Sequence, residues 1–86
     1  MITREEFNTL IWDKVKQYPK RWREGQKVFN AAEEVLFEKT NEQHNIAREV
    51  QFDDRVDCFF DDEKINEFLN KCWVRFEKYS TEKEHL

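Results

Sequence analysis

Residues 3–18, TREEFNTLIWDKVKQY, decide the fold class of this chain. Thr3 and Glu6 have the spacing of a capping box, in which each side chain satisfies a free backbone N–H group at the start of a helix. Apolar and aromatic side chains then recur at helical spacing on one face: Phe7, Leu10, Ile11, Val15 and Tyr18. Pro19 ends the run, because the residue before a proline is pushed out of the helical conformation. The pattern predicts a first helix over residues 4–18.

A second helix is predicted directly after it, over residues 20–38. A proline is tolerated beside a first helical turn, and the stripe that follows consists of Trp22, Gly25, Phe29, Ala32 and Leu36. Gly25 belongs to this stripe although glycine costs about 1 kcal/mol relative to alanine inside a helix. We therefore expect another part of the chain to lie close to Gly25.

Two further helices complete the predicted bundle. Thr40 and Gln43 have capping-box spacing, which predicts a short helix over residues 41–51. Asp61 or Asp62 suits the N-cap position of a last helix over residues 62–80. Its stripe is Ile65, Phe68, Leu69, Cys72, Phe76 and Tyr79. An irregular acidic connector is expected at residues 52–61, and a frayed polar tail at residues 81–86.

The composition favours a single all-α domain over residues 1–86. Eighty-six residues suffice for one domain. The chain contains one Gly and one Pro, and it lacks Asn-Gly, Asp-Gly and Gly-Gly pairs. Because β-hairpins depend on such turn residues, the composition argues against an all-β fold. We expect a compact bundle of about four helices.

Cysteine content and the first residues predict a cytoplasmic protein. A secreted domain of this size usually carries four or more cysteines, whereas this chain has Cys58 and Cys72. The first residues, MITREE, are charged where a signal peptide would be apolar. No apolar run approaches the length of a membrane span. We expect reduced thiols and no membrane association.

The net charge of −4 is unevenly distributed along the chain. Residues 1–40 contain eight Lys and Arg against seven Asp and Glu, whereas residues 41–86 contain seven against twelve. The acidic excess is concentrated around the connector, at Asp53, Asp54, Asp57, Asp61, Asp62 and Glu63. Three interpretations are open. The cluster is a solvated loop beside a helix N-terminus that attracts carboxylates, an intramolecular partner for the basic second helix, or a surface for a basic protein, including mimicry of nucleic-acid phosphate.

A basic cluster lies at the first helical junction. Its members are Lys14, Lys16, Lys20, Arg21, Arg23 and Lys27. The candidate nucleic-acid contacts are Lys20, Arg21, Trp22, Arg23 and Lys27. Such cations can hold phosphates, and an indole can stack on a base. However, the sequence pI of about 5.2 is far below the value above about 9 that is typical of nucleic-acid-binding domains. Nucleic-acid or nucleotide binding is therefore the second hypothesis.

The sequence lacks the motifs that support catalysis or cofactor binding. His44 lies in a polar stretch, and the two cysteines have no second pair or nearby histidine with which to hold zinc. Carboxylates around Cys58 disfavour its thiolate form and make it a poor nucleophile. One glycine cannot build a phosphate-binding loop. We expect neither an enzyme nor a metal or cofactor site.

Two segments resemble a known group of proteins. Residues 23–30, REGQKVFN, and residues 57–65, DCFFDDEKI, followed by Phe68 and Leu69, resemble a group of small, uncharacterised bacteriophage proteins. That group has the pattern Arg-x-Gly-Gln-x-x-Phe-Asn, then Asp-Pro-Phe-x-Asp-Asp with a following Ile and Phe. The resemblance covers roughly residues 7–73, and this chain departs from it at Cys58, where the group has proline. It implies a phage origin and the cytoplasm of a bacterial host, without a mechanism.

The polar residues of the first segment also have a structural interpretation. Three of them share a helix face: Arg23, Gln26 and Asn30. We expect this row to hold the Asp57–Asp61 turn, because buried irregular backbone needs hydrogen-bond partners. Phe59 and Phe60 would then fill the core beneath the turn.

Taken together, these features favour binding over chemistry. The leading hypothesis is a phage-type accessory protein that binds a host or viral protein, with inhibition of a bacterial antiviral defence system as its use. Its contact surface would be the acidic stretch from Asp53 to Glu63, with Trp12 and Trp73 as candidate aromatic anchors. The alternatives are the nucleic-acid binder described above and a homo-oligomeric structural or assembly protein.

Overall fold

The computed structural model describes residues 2–84, which form an all-α bundle of four helices. Helix α1 spans Arg4–Val15, α2 spans Glu24–Lys39, α3 spans Ile46–Asp53 and α4 spans Ile65–Glu84, and a 3₁₀ turn, Asp62–Lys64, precedes α4. The described residues contain no strand. None of their helices combines the length and the apolar character that a membrane crossing requires. The predicted fold class is confirmed.

Helix α1 begins as its sequence predicts. The backbone N–H of Glu6 donates to Thr3 Oγ1 (3.1 Å), and the N–H of Thr3 donates to Glu6 Oε1 (3.0 Å), so both halves of the capping box are formed. Phe7 and Ile11 are fully buried on the inner face. The helix ends at Val15, three residues before the predicted end, because short-range turn hydrogen bonds replace its last turn.

Helix α2 begins at Glu24, four residues later than predicted. Arg23 is the N-cap residue, but its side chain supplies no capping hydrogen bond. The carboxylate of Asp62 performs this role instead, since Asp62 Oδ1 accepts a hydrogen bond from the backbone N–H of Gly25 at 2.9 Å. A residue 37 positions later in the chain therefore caps the first turn of α2.

The predicted capping box that begins at Thr40 is wrong. Thr40 ends α2, where its hydroxyl donates to the Leu36 carbonyl at 2.9 Å. The next two residues, Asn41 and Glu42, have left-handed backbone conformations with φ of 54° and 62°, which interrupt any helix there. The actual N-cap is Asn45, whose side chain accepts a backbone hydrogen bond from the first turn. Helix α3 thus starts five residues later than predicted.

Aromatic rings in the core connect α4 to α1 and α2. The ring of Phe7 in α1 lies 5.4 Å from that of Trp73 in α4, and the ring of Phe29 in α2 lies 5.5 Å from that of Phe68 in α4. Five of the six residues in the predicted α4 stripe are buried: Ile65, Phe68, Leu69, Cys72 and Phe76. Helix α4 continues to Glu84, past the predicted end at residue 80. Residues 85 and 86 of the predicted tail lie outside the described residues.

A polar network centred on Arg75 joins α3 to α4. The guanidinium donates to the two carboxylate oxygens of Asp54 at 3.3 and 3.1 Å and to Glu49 Oε1 at 3.1 Å. The Tyr79 hydroxyl donates to the same Glu49 oxygen, and the His44 ring stacks on the Tyr79 ring at 3.8 Å. The hydrogen bonds from Arg75 hold the pKa of Asp54 below its usual value. The network attaches the C-terminal end of α3 to α4.

Candidate functional site

The connector between α3 and the 3₁₀ turn, residues 54–61, packs against the N-terminus of α2. The approach is close because Gly25 has no side chain: a Cβ atom there would lie 2.0 Å from the carbonyl oxygen of Cys58. The Cys58 thiol donates to the Gly25 carbonyl oxygen at 3.4 Å. The predicted close approach at Gly25 is confirmed.

Arg23 holds the connector from the other side. Its Nη2 donates to the Phe59 carbonyl oxygen at 2.6 Å, and its Nη1 lies 3.8 Å from Asp62 Oδ1. Asn30 instead donates from Nδ2 to the Gln26 carbonyl of its own helix at 2.8 Å. Among the described residues, the Gln26 side chain makes no hydrogen bond. The prediction that Arg23, Gln26 and Asn30 together hold the Asp57–Asp61 turn is therefore wrong for Gln26 and Asn30. For Asn30, the reason is that a helical asparagine can hydrogen-bond the backbone of its own helix.

Phe59 and Phe60 occupy different environments. Phe59 is half-buried, and its ring meets the Phe29 ring edge-on with the centroids 5.7 Å apart. Phe60 is 73% exposed, with its ring 4.8 Å from that of Phe59. The prediction that both rings fill the core is wrong for Phe60. The carbonyl of Phe59 and the carboxylate of Asp62 are both held by hydrogen bonds, and the two residues between them, Phe60 and Asp61, lie on the outside.

Hydrogen bonds fix the backbone on both sides of Phe60. Asp57 Oδ1 accepts from the N–H of Phe59 at 2.8 Å, and Asp61 Oδ1 accepts from the N–H of Glu63 at 3.0 Å. The bond from Arg23 to the Phe59 carbonyl adds a third restraint. A ring presented on such an ordered backbone has less conformational freedom to lose when a partner binds.

The six acidic residues of the predicted contact surface fall into two groups. Asp54 pairs with Arg75 at 3.1 Å and Asp62 with Arg23 at 3.8 Å, while Asp53 lies 3.8 Å from Arg75. Among the described side chains, the other three have no Lys or Arg nitrogen within 4.0 Å: Asp57, Asp61 and Glu63. Within the paired group, the predicted interaction with the second helix holds for Asp62 alone, through the N-cap residue Arg23, whereas Asp53 and Asp54 lie against Arg75 of α4. The other group flanks Phe60 along the chain.

A shallow pocket of about 180 Å³ lies between α3 and the connector. Its walls are Phe29, Arg48, Gln51, Phe59 and Phe60. Arg48 Nε is engaged by Glu33 Oε2 at 3.0 Å, and Gln51 donates to Asp57 Oδ2 at 3.1 Å. On the same helix, Phe52 is 67% exposed. We call this pocket, the Phe52 ring and the three carboxylates of Asp57, Asp61 and Glu63 the Phe60 surface.

The exposure of Phe52 and Phe60 was not predicted from the sequence. Each is followed directly by two aspartates, so the tripeptide Phe-Asp-Asp occurs at residues 52–54 and 60–62. Burying a ring that directly precedes two carboxylates would tend to desolvate those charges, which is costly. This repeated pattern was the available signal.

The two tryptophans selected as anchors lie elsewhere. Trp73 is 9% exposed and packs in the core, with its ring 5.4 Å from Phe7 and 5.7 Å from Phe76. Trp12 is half-buried and packs against the same core. The assignment of Trp73 as a contact residue is wrong, because the buried face of α4 is wider than the stripe read from its sequence.

The predicted basic cluster is partly occupied by intramolecular contacts. Trp22 is half-buried and stacks on Tyr18, with the ring centroids 5.2 Å apart. Arg23 faces the connector. Lys20 and Arg21 are exposed in the turn before α2, and Lys27 lies half-buried on α2. Two of the five predicted nucleic-acid contacts are thus engaged within the protein.

Both cysteines are fully buried. Burial and then the nearby Asp57 carboxylate raise the pKa of the Cys58 thiol to about 12, and burial raises the pKa of Cys72 well above its usual value. Because the thiolate is the reactive form, neither is a nucleophile near neutral pH. Within residues 2–84, no group of three or more His, Cys, Asp and Glu side chains is placed to hold a metal ion.

Comparisons with known proteins leave the role of this surface to be inferred from its geometry. No protein-family model matches the sequence, and no curated protein or solved structure matches it. The surface combines an exposed ring on a restrained backbone, a small pocket lined by that ring, and three carboxylates within three residues of it along the chain.

Proposed function

We propose that this chain is a binding protein that attaches to a host or viral protein through the Phe60 surface. The observation that carries the proposal is the 73% exposure of Phe60 on a backbone that is hydrogen-bonded on both sides. Burying such a side chain in a partner contributes about 1.5–3 kcal/mol. Large rings that fill partner pockets account for much of the energy of protein interfaces.

The phage resemblance supports the choice of partner. Its two segments, residues 23–30 and 57–65, contain the residues that clamp the connector beneath Phe60. A phage-type accessory protein in a bacterial cytoplasm would meet host and viral proteins. Inhibition of an antiviral defence system by binding requires a contact surface and no catalytic group.

The test compares two phenylalanine substitutions in a pull-down from a bacterial lysate. The tagged wild type, Phe60→Ala and Phe37→Ala are used after nuclease treatment, and recovered proteins are quantified by mass spectrometry. Phe37 is a matched control because it is 39% exposed and lies near the C-terminal end of α2, opposite the end that holds the connector. We expect one protein to be recovered by wild type and Phe37→Ala and lost with Phe60→Ala. Equal recovery by all three contradicts the proposal.

A second candidate function is nucleic-acid binding at the turn before α2. It is favoured by the exposure of Lys20 and Arg21 beside the stacked rings of Tyr18 and Trp22. A double charge reversal, Lys20→Glu with Arg21→Glu, would abolish recovery of nucleic acid if this function is the real one. The same variant would leave recovery of a Phe60-dependent protein unchanged.

A further inference from the structure

We propose that the Phe60 surface receives a basic segment of its partner, with one arginine or lysine side chain seated in the pocket between α3 and the connector. This inference rests on the proposed function and adds the chemistry of the partner. The size of the pocket, the arrangement of its rings and the acidic residues that adjoin its wall in the chain support it.

The pocket has the size for one side chain. Its volume of about 180 Å³ is below the range of roughly 300–1,000 Å³ that is typical of small-molecule sites. Two of its walls are the rings of Phe59 and Phe60, which meet at an interplanar angle of 67°. A long side chain that enters this corner can lay its methylene groups along one ring and its cation over the face of the other.

The charge near the pocket favours a cation. The Asp57 carboxylate accepts a hydrogen bond from Gln51 of the pocket wall at 3.1 Å, and Asp61 and Glu63 follow the wall residue Phe60 in the chain. Among the described side chains, none of these three carboxylates has a Lys or Arg nitrogen within 4.0 Å. Arg48 lines the wall, but Glu33 engages its guanidinium at 3.0 Å and balances its charge. An acidic partner would be repelled here, and a purely apolar one would desolvate the carboxylates without compensation.

Capped tripeptides that differ in side-chain charge test the charge preference. The ¹⁵N-labelled protein is titrated with Ac-Arg-Leu-Arg-NH₂, Ac-Gln-Leu-Gln-NH₂ and Ac-Glu-Leu-Glu-NH₂, and backbone amide shifts are followed. We expect saturable shifts with the arginine peptide at residues 48–52 and 57–63, which weaken as salt is added. Equal shifts with the glutamine peptide, or shifts at residues 20–27 instead, overturn the inference. The absence of saturation up to roughly 10 mM peptide, where millimolar binding is visible, also overturns it.

Ring substitutions separate a cation–ring contact from a merely apolar one. Phe60→Leu keeps an apolar side chain but removes the π face, so it should weaken arginine-peptide binding about two- to fivefold. Phe60→Trp should match or exceed the wild type, because indole is the strongest of the aromatic cation acceptors. Amide spectra confirm that each variant is folded. Equal peptide affinity for the leucine and tryptophan variants overturns the assignment.

A carboxylate variant distinguishes failure of this inference from failure of the proposed function. If the partner recovered in the pull-down binds equally well to the double variant Asp61→Asn with Glu63→Gln, the partner is not basic at this site and the inference fails alone. If Phe60→Ala retains the partner, the proposed function fails. The charge control is Glu38→Gln near the C-terminal end of α2, which should leave binding unchanged.

Discussion

The carboxylate of Asp62 accepts a 2.9 Å hydrogen bond from the backbone N–H of Gly25, across 37 residues of chain. Gly25 lies in the segment 23–30 and Asp62 in the segment 57–65. The first segment requires a glycine because a Cβ atom would overlap the Cys58 carbonyl. The second supplies an acid that caps a helix whose own N-cap side chain makes no hydrogen bond. The glycine of the first segment and the acid of the second are thus explained by one contact, that between the connector and the start of α2. This explanation does not depend on what the protein binds.

Gly25→Ala should destabilise the protein. Backbone atoms at 2.0 Å cannot be avoided by rotating a side chain, so the connector must move. We expect a loss of about 1–3 kcal/mol in the free energy of unfolding, although alanine alone would favour the helix by about 1 kcal/mol. Urea unfolding followed by circular dichroism measures the loss. The control is Glu24→Ala at the exposed neighbouring position, which should change stability by less than about 0.5 kcal/mol. A more stable Gly25→Ala protein would rule out the close approach.

Asp62→Ala should cost about 1–2 kcal/mol, the usual effect of removing a helix cap. Asp62→Asn should cost less than half as much, because its amide oxygen can still accept the hydrogen bond from Gly25. Urea unfolding of both variants gives the comparison. Gln26→Ala is the control, since that side chain makes no hydrogen bond among the described residues. Equal losses for the two Asp62 variants would assign the effect to charge rather than to capping.

Helix content could be predicted from the sequence better than helix ends. The start of α1 was predicted correctly because Thr3 and Glu6 are three residues apart and cap each other. The start of α2 was not, since its cap comes from Asp62, far along the chain. At Thr40 the local pattern was misleading, because the same hydroxyl can end one helix as readily as it can begin another.

The acidic surface was predicted in outline but not in detail. Composition alone identified a cluster of carboxylates around the connector. Which of them are neutralised depends on where Arg23 and Arg75 lie in three dimensions, and neither position follows from local sequence. The different environments of Phe59 and Phe60 could not be predicted from local sequence either. They depend on the hydrogen bonds from Arg23 and Gly25 that hold the connector.

The pair formed by Asp54 and Arg75 should make stability depend on pH in the acid range. Because the pKa of Asp54 is lowered in the folded chain, its ionised form stabilises the fold above the unfolded value of about 4. That contribution is lost as the pH falls through the lower folded pKa. The difference in unfolding free energy between wild type and Asp54→Asn should be constant from about pH 7 to 5 and shrink below about pH 4.

Urea unfolding at a series of pH values measures this difference. The matched control is Asp53→Asn, because that side chain is 65% exposed and lies 3.8 Å from Arg75 instead of 3.1 Å. It should show a much smaller pH-dependent difference, since solvent screens exposed pairs. A difference for Asp54→Asn that grows toward acid pH would contradict the assignment.

Trp73→Ala should lower the free energy of unfolding strongly, whereas Phe60→Ala should leave it nearly unchanged. Trp73 is 9% exposed and packs on Phe7 and Phe76, so its removal leaves a cavity and should cost about 3–5 kcal/mol. Such a loss is a large part of the roughly 5–15 kcal/mol that stabilises a domain. Phe60 is 73% exposed, and its removal should change the unfolding free energy by less than about 0.5 kcal/mol. Urea unfolding of both variants provides the measurement. A loss above about 2 kcal/mol for Phe60→Ala would mean that this ring stabilises the fold, and the case for Phe60 as a partner contact would then be lost.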